Sequence, residues 1–283
     1  MDGPETSRAA AAAASVAAAF GLAADDVVIL NNSNKLTLRL LPCDVVARVA
    51  PVAYQLGRFE IPIAQRLASL GSPVAVLDPR IAPGVHSRGG FEATFWTYYE
   101  AASSNSVAPA DYADALHRLH TGMRAVDVST PHFTDRVESA QRLLVDRDQT
   151  PTLVDVDRAL LIDTLRTRAR AIVERGTSEQ LLHGEAHSGN LLTTRQGLLF
   201  IDFETCCRGP VEFDLAHAPE KVSEFYPEVD RDVLRDCRLL TLALMTTWRW
   251  DRDDQLPNGR QLGLRWLSQL RAALQARDAG VTN

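Results

Sequence analysis

Between Val27 and Ala50 the chain crowds three apolar segments into a short span: VVIL (Val27–Leu30), LTLRLL (Leu36–Leu41) and DVVARVA (Asp44–Ala50), joined by the turns NNSNK and PC. Parallel neighbours need a crossover of about a dozen residues, so connections this short specify an antiparallel meander. The next segment, YQLGRFEIPIAQRLASLG (Tyr54–Gly71), has apolar residues at helical spacing, with Pro62 placed in the first turn or at a kink. PVAVLDP (Pro73–Pro79) and FEATFWTYYE (Phe91–Glu100) have the character of further strands. Beyond them the pattern changes. ADYADALHRLHTGM (Ala110–Met123), Val156–Arg175, Asp230–Trp250 and Arg260–Ala276 are all helical, interrupted only by short β segments at Gln180–Leu182, Leu191–Thr194 and Leu198–Asp202.

This layout is α+β, a small antiparallel-sheet lobe followed by a larger, mainly helical lobe. The small-residue stretch AASSNSVAPA marks the boundary, giving an N-terminal lobe over 1–101 and a C-terminal lobe over 102–283. The alanine-rich stretch Arg8–Phe20 has neither the basic start nor the strongly apolar centre of a secretion signal, and alanine favours helix, so a helix ending near Gly21 is expected. No apolar run is long enough to span a membrane. A formal charge of −6 argues against a protein built to grip nucleic-acid phosphates and suits a neutral or cationic small substrate. Cys43, Cys206, Cys207 and Cys237 lack metal-finger spacing, which points to reduced thiols and a cytoplasmic protein. Nothing in the sequence marks an obligate protein partner.

The most concentrated chemistry lies in LLHGEAHSGNLL (Leu181–Leu192), a polar loop pinned between apolar pairs. Such a loop is positioned for function, and Gly184 and Gly189 permit tight turns within it. A second feature follows: the apolar LLFI delivers Asp202 to a strand end. The Asn190 carboxamide and the Asp202 carboxylate, arriving from neighbouring β segments, are hard oxygen donors of the kind magnesium prefers. Glu204 is a further carboxylate nearby. The residues alone leave a rival open. His183-Gly184-Glu185 matches half of a zinc-deaminase signature, although adjacent Cys206 and Cys207 do not have the cysteine spacing that signature needs.

HGEAHSGNLL, LLFIDFE and GPVEFDLA, in that order, resemble the aminoglycoside phosphotransferase family, whose relatives of protein-kinase-like fold include choline, homoserine and fructosamine kinases. The resemblance runs over nearly the whole chain, and its C-terminal motifs are the specific ones. It implies a bilobal fold and a kinase using ATP, with GTP as an open alternative, and Mg²⁺ to phosphorylate a hydroxylated, in one version amine-bearing, small molecule. It implies Glu185 as the catalytic acid, where most of the family has aspartate, with Asn190 and Asp202 as metal ligands and His183 and Asp214 as supports of the loop. Arg48, in ARVAP, would replace the phosphate-gripping basic residue, oriented by Glu60. Ser33 and Asn34 would face the triphosphate from a turn that has asparagine and serine where the family often has glycine, with Lys35 adding charge there. Backbone groups near Tyr99 and Ala101 would meet the purine edge. In LHRLH, His120 is expected to pack. RWDRDDQ (Arg249–Gln255) and Glu212 are candidate carboxylates for an amine. A weakly active or inactive nucleotide-binding protein is the alternative.

Overall fold

The computed structural model describes residues 1, 3–33, 35–54, 57, 59–102 and 107–278. In chain order the strands are β1 (Ala24–Asn32), β2 (Leu36–Pro42), β3 (Val45–Pro51), β4 (His86–Arg88), β5 (Phe91–Thr97), β6 (Gln180–Leu182), β7 (Leu191–Thr194), β8 (Gly197–Phe200) and β9 (Cys207–Gly209). The helices are α1 (Gly3–Ala19), α2 (Glu60–Ser69), α3 (Pro109–Met123), α4 (Phe133–Val145), α5 (Asp155–Glu174), α6 (Val211–His217), α7 (Val222–Phe225), α8 (Arg231–Trp248) and α9 (Gly259–Asp278). Contacts divide the chain into two compact units: Met1–Ser129 with Gly189–Cys206, and Thr130–Ser188 with Cys207–Asn283. The expected break between residues 101 and 102 thus falls inside the first unit. Ala101 bridges Thr194 of β7, and α3 packs on α2 and β8, so the chain stays in this unit beyond the end of the sheet.

The first unit is built on an antiparallel sheet of order β1-β2-β3-β5-β4. Alternation explains its two faces. Leu36, Leu38 and Leu40 of β2 and Val45, Ala47 and Val49 of β3 are fully buried and share a core with Ala9, Ala13 and Ala17 of α1. The alanine stripe of α1 gives a narrow helix face that can lie close to the sheet. Burying each leucine contributes about 1.5–3 kcal/mol, and a slip of one residue would turn all of them to the other side. Register is therefore strongly specified, and it places Thr37 opposite Arg48 and Arg48 opposite Thr94 on the second face. α2 begins at Glu60, later than its sequence pattern suggested, with Pro62 in its first turn where the missing N–H costs nothing.

PVAVLDP is not a strand. It is bonded alternately to two neighbours: Ala75 N–H donates to the Phe200 carbonyl, and Thr97 N–H to the Val76 carbonyl. With a proline at each end it builds only single bridges, Val74 to Phe200 and Leu77 to Trp96. FEATFWTYYE leaves the sheet at Thr97.

The second unit is mainly helical. α8 packs on α5, α6 and α9, and α4 on α5. Leu161, Leu165, Leu240, Leu244 and Leu270 lie in one core with Phe133 and Phe213. The small β6–β9 ladder pairs Leu182 with Cys207. α4 went unnoticed in the sequence, although Phe133, Val137, Ala140 and Leu144 recur at helical spacing and are all buried. Asp230 is the cap of α8 and not its first turn: its side chain accepts from the N–H groups of Asp232 and Val233.

Candidate active site

In the first unit, three elements bring a charged network together. β3 presents Arg48 on the sheet face away from α1, α2 presents Glu60 at its N-terminus, and β8 leads into Asp202. Arg48 donates to Glu60 through one guanidinium nitrogen and reaches Asp202 Oδ1 at 2.7 Å through the other. Glu60 is fully buried and also accepts the Phe203 N–H at 3.3 Å, which ties α2 to the backbone just after Asp202. Lys35 Nζ, in the turn before β2, lies 3.1 Å from Asp202 Oδ1 and 2.6 Å from Glu204 Oε2.

The electrostatics follow from this geometry. Burial pushes the Asp202 carboxyl up, but Arg48 and Lys35 outweigh it and hold its pKa at about 2. Burial raises the Glu60 carboxyl, and Arg48 works against that rise. Burial alone would lower the Arg48 pKa, yet Glu60 and Asp202 keep it above its ordinary value. Asp202 has φ +71° and ψ +65°, a left-handed conformation that costs a non-glycine residue about 1–2 kcal/mol. That orientation is maintained by the Arg48, Lys35 and Phe203 contacts around it.

A cavity of about 430 Å³ opens over the network, and its lining includes Asn31, Thr37, Arg48, Glu60, Asn190 and Asp202. Apolar side chains, among them Val46, Ala75, Trp96, Leu192 and Ile201, line it as well. Asn190 and Asp202 converge on this cavity because the Ile201 N–H donates to the Asn190 carbonyl at 3.0 Å, extending the β7–β8 ladder. Among the described residues no three His, Cys, Asp or Glu side chains form a metal cage. One carboxylate and one carboxamide on the lining of this cavity nevertheless fit magnesium, which is commonly held by one or two protein oxygens together with phosphates.

Other expected positions divide. Tyr99 lines the cavity, and its hydroxyl accepts the Val76 N–H at 3.3 Å. Ala101 is exposed and engaged in its bridge to Thr194, and is not part of the cavity wall. The Ser33 N–H donates to the Lys35 carbonyl, closing the turn, and the Ser33 hydroxyl receives the Asn31 amide. Asn34 lies outside the described residues. His120 is fully buried in α3, as expected of a packing residue.

The second unit holds the polar loop. Asp214, fully buried on α6, accepts the His183 N–H at 2.8 Å and the Gly184 N–H at 2.7 Å. His183 is also fully buried, and Gly184 has φ +85°, which suits glycine. Glu185 therefore projects from a backbone pinned at both preceding residues. Arg136 of α4 donates to the Gly184 carbonyl at 2.8 Å and to Glu185 Oε1. Burial raises the Glu185 carboxyl, but Arg136 outweighs it, leaving it below the usual carboxylate range. His217 is held neutral by burial and the nearby Arg136, with a pKa of about 4.

Arg136 and His217 were not found from sequence, the first because α4 was missed and the second because a lone histidine after EFDLA has no distinguishing pattern. Lys35 was noted only as added charge, and its contacts with residues 202 and 204 depend on folding. Glu212 is buried and accepts the Asp230 N–H at 3.0 Å, so it braces the start of α8. The structure does not support the zinc reading: among the described residues no three His, Cys, Asp or Glu side chains cluster as a zinc site needs, and Cys207 is buried in β9, where burial pushes its thiol up to about 12.

An antiparallel N-terminal sheet with a charged strand-to-helix pair, followed by a helical part carrying a pinned polar loop, defines the class of kinase-like phosphotransferases. An aminopropanol kinase associated with a microcompartment matches at TM-score 0.70 and 16% identity, with 91% of this chain and 94% of that chain covered. A choline/ethanolamine kinase family protein from Mesorhizobium loti matches at 0.68 and 18%, covering 93% of each chain. An amicoumacin kinase in complex with AMP-PNP, Ca²⁺ and Ami matches at 0.65 and 13%, covering 86% and 87%. At these identities the likeness establishes the fold. Comparison with curated proteins gives no match. The family model of the phosphotransferase enzyme family, APH, matches residues 27–252, and the chain belongs to that family.

Proposed function

We propose that this protein is a small-molecule kinase that transfers the γ-phosphoryl group of ATP, with GTP as the alternative donor, to a substrate hydroxyl. The observation that carries this reading is the meeting of Arg48, Glu60, Asn190 and Asp202 around one partly apolar cavity. The apolar side chains of the lining, with Tyr99 among its residues, suit a purine, and its charged ones suit phosphates. Arg48 binds the phosphates with its planar fork, and Glu60 orients it. Asp202 and Asn190 hold Mg²⁺, which supplies charge neutralisation at the phosphates.

In the reaction, the substrate oxygen bonds to the γ-phosphorus as the bond from phosphorus to the β–γ bridging oxygen breaks, releasing the nucleoside diphosphate. The hydroxyl proton passes to Glu185. Asp214 and His183 keep that carboxylate in place by fixing the backbone before it, and Arg136 keeps it ionised. A cytoplasmic enzyme acting on a hydroxylated, amine-bearing compound is the form of this proposal most consistent with an acidic chain, and among the described residues no helix is long and apolar enough to cross a membrane.

The ion pair between Arg136 and Glu185 favours a second reading. A carboxylate already engaged by a guanidinium is a weaker proton acceptor, as in a nucleotide-binding protein with little turnover. A Mg²⁺-dependent nucleotide-consumption screen across aminoglycosides, macrolides, choline-like alcohols and sugars separates the two. Consumption stimulated by one class and abolished in Asp202→Ala supports the kinase. Tight nucleotide binding without consumption supports the second reading, and absence of both removes the nucleotide site.

A further inference from the structure

Lys35 is one of only two lysines in a chain whose other cationic side chains of this type are arginines. It is 7% exposed, and its ammonium lies between carboxylates of Asp202 and Glu204 at 3.1 and 2.6 Å. Asp202 Oδ1 thereby meets two cations, because Arg48 approaches the same atom at 2.7 Å. A divalent ion that takes this oxygen as a ligand must displace one of them. Arg48 is anchored in the middle of a strand and tied to the buried Glu60. Lys35 stands in the turn before β2 on a flexible stem that carries a compact point charge, which makes it the one able to leave.

Building on the assignment of Asp202 as a metal ligand, we propose that Lys35 is a tethered cation that stands in for the divalent ion at Asp202, with Glu204 on its other side, until metal and nucleotide arrive together. Two cations, Lys35 and Arg48, face three carboxylates, Glu60, Asp202 and Glu204, so the network is close to balanced without metal. A divalent ion entering alone takes the ammonium's place and releases it from both carboxylates. With a triphosphate bound, the released ammonium would gain phosphate oxygens as new partners. Lys35 thus couples metal binding to nucleotide binding and disfavours either one alone.

The test is Mn²⁺ binding to the full chain, followed by the electron paramagnetic resonance signal of free Mn²⁺, with and without AMP-PNP. Removing a competing unit charge in this partly buried place, in Lys35→Met, should tighten Mn²⁺ binding without nucleotide about tenfold. The same variant should weaken AMP-PNP at saturating Mn²⁺ and so shrink the enhancement of metal binding by nucleotide. Lys35→Arg, which keeps the charge, should stay near wild type. Circular dichroism establishes folding, and Lys35→Gln serves if the methionine variant does not fold. Unchanged Mn²⁺ affinity in a folded, charge-free variant overturns the proposal while leaving the metal site standing. Failure of the wild-type protein to bind Mn²⁺ with or without AMP-PNP overturns both.

Discussion

Replacing Asp214 with alanine tests how the polar loop is held. The carboxylate is fully buried and accepts the N–H groups of His183 and Gly184 at 2.8 and 2.7 Å. Neither donor can turn to water while the loop keeps its course. Each buried N–H left unpaired costs about 1–3 kcal/mol, and relief from burying a charge returns part of the total, so a net loss of about 3 kcal/mol is expected. Asp214→Asn retains one acceptor and turns two donors toward the second N–H, so its loss should be smaller than that of alanine but still measurable. Urea unfolding followed by circular dichroism reads the global change, and amide hydrogen exchange at His183 and Gly184 reads the local one. Exchange at those two amides should accelerate even under conditions where the helical core stays protected. If Asp214→Ala unfolds within about 0.5 kcal/mol of wild type and both amides remain protected, the loop is held by something other than this carboxylate.

Glu185→Ala should lower turnover by about 10²–10⁴-fold with nucleotide affinity unchanged, as steady-state kinetics and nucleotide titration would show; an undiminished rate reassigns the proton acceptor. Arg136→Met should let the Glu185 pKa climb, moving the acid limb of the kcat/KM profile to higher pH, and an unmoved limb would mean that Arg136 does not tune this group. His217 titrates near 4 in the folded protein against about 6.5 unfolded, so it resists protonation only while folded. Stability should therefore fall as pH drops from about 6.5 to about 4, by at most about 3 kcal/mol, and His217→Gln should flatten that window in urea titrations.

Much of the site could be read along the chain because its parts are short and local. HGEAHSGN and the following LLFID place Glu185, Asn190 and Asp202 at the ends of small β segments, and β6, β7 and β8 lie there within a residue or two. The meander was equally legible, since alternation in LTLRLL and DVVARVA identifies both faces of β2 and β3. What escaped notice depends on distant partners. Strand geometry in PVAVLDP is decided by β5 and β8, each supplying bonds from its own side, and a proline-flanked segment cannot announce that by itself. Arg136 lies 49 residues from Glu185, and Lys35 lies 167 from Asp202. Neither separation leaves a periodic trace. Unit boundaries fail for a similar reason, because β7 and β8 return the chain to a unit it left at Ser129.

These distant arginines share a physical task. Asp202 and Glu185, assigned above to metal binding and proton acceptance, are both partly withdrawn from water, and burial alone would drive each carboxyl upward. Arg48 reverses the shift at Asp202, and Arg136 reverses it at Glu185. The chain thus keeps both groups ionised through neighbours that cannot themselves lose a proton. The costs differ between the two. At Asp202 both cations meet the oxygen that the proposal gives to a metal, and the lysine, on its flexible stem, is the more adjustable of the two. At Glu185 the guanidinium engages one carboxylate oxygen, Oε1. Arg136 therefore favours a fully ionised but weakly basic acceptor, and replacing it should raise basicity while loosening the position of the carboxylate. A variant that gains in one respect and loses in the other would show KM and kcat moving separately, whereas a purely structural arginine would lower stability and activity in parallel.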